Sequence, residues 1–97
     1  MPTYIVFADY TEQGLNSIKH SPDRLDAVRK LVADHGGEVK AFYLLMGEHD
    51  IMSIIEVPND DTAARLLLTI SGEGNIRTKS YKAFDEDEFR GIVGSLP

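Results

Sequence analysis

The side chains best suited to chemistry in this sequence are few and lie close to turns. His49 stands between Glu48 and Asp50 in the run Gly47-Glu48-His49-Asp50, so an imidazole sits beside two carboxylates. A neighbouring carboxylate fixes a histidine's tautomer and raises its basicity, which suits a general acid/base or a metal corner. The same residues also read as a plain turn, with Gly47 at positive φ and Asp50 bonding turn amides. The turn is the preferred reading, because two ligand types at one corner fall short of the three or four that hold a metal. His20 and His35 lack HxH or HExxH spacing, and His35 reads as a cation at a helix C-terminus, so no metal site is expected.

Two further groups qualify. Lys19, Ser21 and Arg24 gather positive charge at a helix start, where free amides already favour a carboxylate or phosphate; Ser21 as a plain cap, with Arg24 paired to Asp23 or to a partner chain, is the simpler account. Glu56 ends an apolar strand, where burial would raise its pKa and make it a base unless Arg77 or Lys79 pairs with it. Reaching solvent, or an intersubunit ion pair, is the competing and favoured reading. Tyr43 and the other tyrosines supply hydroxyls, although tyrosine on a half-buried strand usually packs. The candidate catalytic residues are thus His49, Asp50 and Glu56, and the candidate ligand-binding residues are Lys19, Arg24, Tyr43 and Arg77.

Composition narrows the classes. Ninety-seven residues make a single domain, residues 1–97. The chain has no cysteine, which removes disulfides, thiol nucleophiles and iron–sulfur clusters, and no cofactor is expected. A net charge of −6 and a pI near 4.9 speak against a grip on nucleic acid or anionic lipid. No apolar run approaches the ~20 residues of a spanning helix, and the N-terminus lacks the order of a signal peptide, so a cytoplasmic protein is expected.

The elements that must position these residues follow from patterning. Tyr4 to Ala8 reads as a first strand. Thr11 caps a short irregular helical turn weakened by Gly14 and Asn16. Ser21-Pro22-Asp23 starts a helix from about Pro22 to His35, stopped by Gly36-Gly37. Glu38 to Met46 and Ile51 to Val57 flank four loop residues and read as a hairpin. Asn59 or Asp60 caps a second helix ending near Ser71-Gly72, and Gly74-Asn75 turns the chain into a polar edge strand, Ile76 to Phe84. Asp85 and Glu88 form a capping-box pattern ahead of Phe89, Ile92, Val93 and Leu96, which predicts a C-terminal docking helix.

That order predicts an α+β, ferredoxin-like βαββαβ fold: a four-stranded antiparallel sheet with helices on one face, plus a C-terminal helix. On the first strand Tyr4, Val6 and Ala8 point one way and Ile5 and Phe7 the other; on the third, Ile51, Ile55 and Val57 oppose Met52 and Ile54. Both faces are apolar, and leaving such side chains wet forfeits roughly 1.5–3 kcal/mol each. A homodimer or higher homo-oligomer of the dimeric α/β-barrel type is therefore expected, with sheet stacked on sheet.

The chain also resembles the GYD domain family of small prokaryotic proteins. The likeness rests on Thr11-x-Gln13-Gly14, Lys19-x-Ser21-Pro22-x-Arg24, Gly36-Gly37, Tyr43, Gly47-Glu48-His49-Asp50, Glu56-x-Pro58 and Gly74-Asn75-x-Arg77-Thr78 ahead of Phe84. It departs at the signature, where His49 stands in the place of the family's Tyr. The resemblance implies a ferredoxin-like fold and oligomeric assembly, and no particular reaction.

Three functions stay open: a small-molecule-binding module, a purely structural or regulatory homo-oligomer, and a cofactor-independent enzyme of the dimeric α/β-barrel type, the last by analogy alone. The first would be favoured by a cavity between sheet and helices lined by Phe7, Tyr43, Met46 and Met52, with Glu56 or Arg77 converging on it. An RNA-binding sheet is set aside, since Ile51 to Val57 carries no aromatic and the chain is acidic.

Overall fold

The computed structural model describes residues 1–97. Strand β1 (Thr3–Tyr10) leads into a one-turn helix α1 (Glu12–Asn16), a 3-10 turn (Ile18–His20) and helix α2 (Ser21–Asp34). Strands β2 (Glu38–Leu44) and β3 (Ile51–Glu56) form a hairpin, followed by α3 (Asp60–Gly72), β4 (Ile76–Ala83) and α4 (Glu86–Gly94). The sheet order is β2-β3-β1-β4 and every pair is antiparallel. This is the expected ferredoxin-like arrangement, with β4 at one edge.

Side-chain parity decides which face the helices cover. Tyr4, Val6 and Ala8 of β1, with Ile51 and Ile55 of β3, are buried beneath α2 and α3, where they meet Val32, Ala63 and Leu66. Tyr4 also reaches across to α3, donating its hydroxyl hydrogen to Asp60, which Lys82 approaches to 3.2 Å. Burial first, and then the Asp60 carboxylate, push the Tyr4 phenol up to about 12. The caps follow the sequence at three helices: Thr11 accepts from the Gly14 amide, Asn59 from that of Thr62, and Asp85 and Glu88 complete a reciprocal box.

Four local expectations are corrected. Ser21 is the first residue of α2 rather than its cap, and its hydroxyl lies 2.7 Å from that of Tyr10. The hairpin loop is six residues, Leu45 to Asp50, because β2 ends at Leu44 and a bulge at Lys40 shifts its register. Positive φ occurs at Gly36 (80°) and Gly74 (85°), not at Gly47. Helix α4 forms but does not dock: Phe89, Ile92, Val93 and Leu96 all remain exposed.

The far end of β1 is closed by a junction that the sequence presents as two unconnected fragments. Thr11 donates its amide to the Asn75 carbonyl (3.1 Å) and its hydroxyl to the Gly74 carbonyl (2.6 Å). Gln13 adds side-chain bonds to the Glu73 carbonyl (2.9 Å) and to Asn75 Oδ1 (3.0 Å). Gly14 permits this approach, since a Cβ there would stand 2.1 Å from the Asn75 carbonyl oxygen. Gly14→Ala is expected to cost about 1–3 kcal/mol as an overpacked backbone contact. A chain of this size loses roughly 4–8 °C of Tm per kcal/mol, so a calorimetric Tm within a degree of the parent would refute the account.

Candidate functional site

Two places combine polar chemistry with partial burial, and both belong to the end of the sheet where β1 finishes. The first is the corner at His49. Its Nδ1 lies 3.2 Å from Asp9 Oδ2, and because a carboxylate only accepts, Nδ1 carries the proton. The imidazole ring is tilted 32° over Phe7 with centroids 4.9 Å apart, which holds it at the margin of the open sheet face. Asp50 donates its amide to Asp9 Oδ1 and to the Ala8 carbonyl, both at 3.2 Å, and its carboxylate accepts from the Tyr10 amide at 3.0 Å. Asp50 thus ties the hairpin loop to β1 through its amide and carboxylate, while its carbonyl closes the loop by accepting the Leu45 amide at 2.7 Å. The hydrogen bond from His49, then the Asp50 amide and the nearby His49 and Lys79 charges, hold the Asp9 carboxyl below its usual range against the opposing effect of burial. Asp9 was not among the expected residues; it ends an apolar run and reads as a strand stop.

The second place is a cavity of about 100 Å³ between the helices and the covered face of the sheet. Its wall is apolar and drawn from every layer, including Val6, Val28, Phe42, Leu66, Leu67 and Ile70. Polar residues gather toward the end where β1 meets α2 and β4: the Tyr10 and Ser21 hydroxyl pair, Arg24, Glu73 and Asn75. Arg24 is held in place by backbone oxygens, with Nη1 3.1 Å from both the Ser17 carbonyl and Ser17 Oγ, and Nη2 3.4 Å from the Gly14 carbonyl. It does not pair with Asp23. A guanidinium set against the last carbonyls of α1 meets the negative end of that turn and still has N–H groups to spare.

The remaining candidates are dispersed. Lys19 is exposed on the 3-10 turn. Tyr43 lies on the open sheet face with Phe7 and Met52, its register partner, while Met46 projects fully into solvent from the loop. The cavity is therefore lined by the opposite parity from the one expected. Glu56 faces Thr3 at one end of β1, whereas Arg77 faces Asp9 at the other. The two pairs are six residue steps apart along β1, roughly 20 Å at ~3.3 Å per residue, so Glu56 and Arg77 cannot converge within one chain. Tyr10 was legible in principle, since it shares the parity of Val6 and Ala8 and so turns toward the helices. No three histidine or carboxylate side chains come together as a metal-binding group.

These features define a small ferredoxin-like domain with an internal apolar cavity and one apolar sheet face left open. The chain belongs to the GYD domain family, whose model matches residues 4–93. It is 31% identical over 84 residues to a Thermus thermophilus protein named as a glutamine synthetase and cystathionine beta-lyase binding protein, an alignment covering 86% of this chain and 88% of that one. Among solved structures it is similar to a feast or famine regulatory protein of Mycobacterium tuberculosis complexed with L-methionine, with TM-score 0.66 and 19% identity. That match covers 88% of this chain and 51% of the regulator, so the chain spans about half the regulator's length. A solved Thermus thermophilus structure matches with TM-score 0.56 and 17% identity over 88% of this chain and 95% of its own. At such identities the structural likeness concerns the fold. No helix is long and apolar enough to cross a membrane.

The Asp9–His49 contact gives a pH dependence of defined sign. A carboxyl whose folded pKa is depressed stabilises fully above its unfolded value near 4, and that stabilisation is lost as pH falls through the lower folded value. Asp9→Asn is accordingly expected to be less stable than the parent at neutral pH, with the two urea midpoints drawing together below about pH 4. Midpoints that stay parallel across that window would show that the contact contributes nothing.

Proposed function

We propose that this chain is a cytoplasmic, homo-oligomeric binding module that takes a small molecule into the cavity between its helices and sheet. The observation that carries this reading is the cavity itself. The pocket offers about 100 Å³ behind a largely apolar wall that is partly open, and apolar surface left wet there forfeits roughly 25 cal/mol per Å². A ligand that fills the space recovers that cost. By proportion to a 150 Å³ cavity that accepts benzene, the volume suits about four carbon atoms, and Tyr10, Ser21, Arg24 and Asn75 suit a hydrogen-bonding head group. Self-association is the other half of the proposal, supported by the open face carrying Ile5, Phe7, Met52 and Ile54. Capture of another enzyme is a second reading, favoured by the name of the Thermus relative and by that same uncovered face.

The test uses C4 to C6 aliphatic carboxylates, alcohols and amines as probes, followed by amide chemical shifts and Tm. A probe at a hundred times its Kd adds ~2.7 kcal/mol to the folded state, a Tm rise on the order of 10 °C, with shifts mapping to α2, α3 and the helix-side residues of β1. Val28→Phe, which fills the cavity, should abolish the response while retaining the folded spectrum. A panel without response, or a response undiminished in Val28→Phe, would defeat the small-molecule reading.

A further inference from the structure

We propose that α4 is an exchanged arm: the helix of one copy lies across the open sheet face of a second copy, and the second copy's helix returns the contact. This rests on the self-association put forward above and states how it is made. Four observations converge on it. First, α4 is fully capped yet buries none of its residues in its own chain; a nine-residue helix is too short to persist in water by itself, so its stability must come from a surface elsewhere. Second, Phe89, Ile92 and Val93 repeat at i, i+3 and i+4 on α4, a single apolar stripe of the kind that docks on a flat surface, and Leu96 follows just past its C-cap.

Third, the chain carries the helix away from its own sheet. Asp85 is extended (φ −72°, ψ 178°) and continues the line of β4 instead of reversing it. The radius of gyration is 14.7 Å against ~12.5 Å for a compact chain of this length, and the longest dimension is 52 Å, about twice the ~26 Å of an eight-residue strand. Fourth, the charges are complementary. In the first turn of α4 Glu86 pairs with Arg90 at 2.8 Å and Glu88 closes the capping box, which leaves Asp87 as the free acid, while Arg77 and Lys79 on the open side of β4, beside Asp9, form no ion pair within the chain. A lasting interface takes about 800 Å² from each partner, more than one nine-residue helix offers, so the reciprocal exchange engages two helices and two sheet faces at once. The reciprocal contact is isologous and closes as a dimer.

The absence of cysteine makes the test clean. Full-length Met52→Cys and full-length Ile92→Cys are mixed and treated with a short bis-maleimide, with Asp26→Cys, on the outer side of α2, replacing Met52→Cys as the control. The expected result is a cross-linked product joining one chain of each kind, absent from the control mixture. In parallel, full-length Phe89→Glu/Ile92→Glu should keep the parent's amide shifts for the helix-side core, since neither side chain supports its own body, should shift only at the open-face residues of β1, β3 and β4 that lose their cover, and should dimerise at least tenfold more weakly by sedimentation. Cross-linking only within a doubly substituted chain would overturn the exchange in favour of a helix folded onto its own sheet. A Phe89→Glu/Ile92→Glu chain that dimerises as tightly as the parent would overturn the arm and leave self-association standing. A parent chain that is monomeric at every concentration would remove both.

Discussion

Everything in this molecule is organised by a sheet that is apolar on both sides while its helices cover only one. The central strand β1 sends Tyr4, Val6 and Ala8 into the core and Ile5 and Phe7 to the other face. Its neighbour β3 does the same with Ile55 and Ile54. A ferredoxin-like connection puts α2 and α3 on the same side because both split crossovers have the same hand, so topology, rather than any shortage of helix, leaves one face open. The cost of that openness follows from area: each wet aliphatic side chain forfeits roughly 1.5–3 kcal/mol relative to burial. The basic residues of β4 and the aromatic rings of Phe7, Tyr81 and Tyr43 soften the face without making it polar; Phe7 and Tyr81 meet edge to face at 6.1 Å.

Much of the fold was legible because it is written in local chemistry. Alternation fixed the face of each strand, caps at Thr11, Asn59 and Asp85 placed three helix starts, and Gly36 supplied the left-handed stop after α2. What escaped was long-range. Ser21 reads as a cap in any local window, yet its hydroxyl is committed to Tyr10, eleven residues earlier. Arg24 has an acidic neighbour in sequence, but three oxygens of Gly14 and Ser17 outcompete one exposed carboxylate. Glu56 and Arg77 share a face, and only the register of β1 with both its neighbours reveals that they lie at opposite ends of it.

The cavity shows the same limit from another side. Its wall residues are ordinary core residues by type and spacing, and nothing in their order distinguishes a filled interior from one with a gap. The pocket lies between α2, α3 and the sheet, with Val28 on one helix and Ile70 on the other lining a common space. A mutation that merely shortened a wall side chain would enlarge a void that already exists, so stability and occupancy of this space are coupled through one set of side chains.

Several of the motifs acquire a shared physical meaning when placed on the structure, whereas Gly36-Gly37 and Glu56-x-Pro58 meet each other at the opposite end of the sheet. Thr11-x-Gln13-Gly14 and Gly74-Asn75 are the two halves of one junction, Gly47 to Asp50 supplies the loop whose last residue is bonded to β1 at Ala8, Asp9 and Tyr10, and Ser21 and Arg24 brace the start of α2 against the same end. All of them fasten the far end of β1, which is also where the cavity's polar residues stand. His49 sets a flat ring over Phe7 and supplies a donor that Asp9 accepts. A rigid polar end on an otherwise apolar domain has a consequence for dynamics: the junction's short hydrogen bonds hold α1, α2 and β4 together there, while the opposite end relies on Tyr4, Asp60 and Lys82. Local opening therefore costs most at the end where β1 meets α1, α2 and β4, where backbone and side-chain hydrogen bonds add to apolar packing.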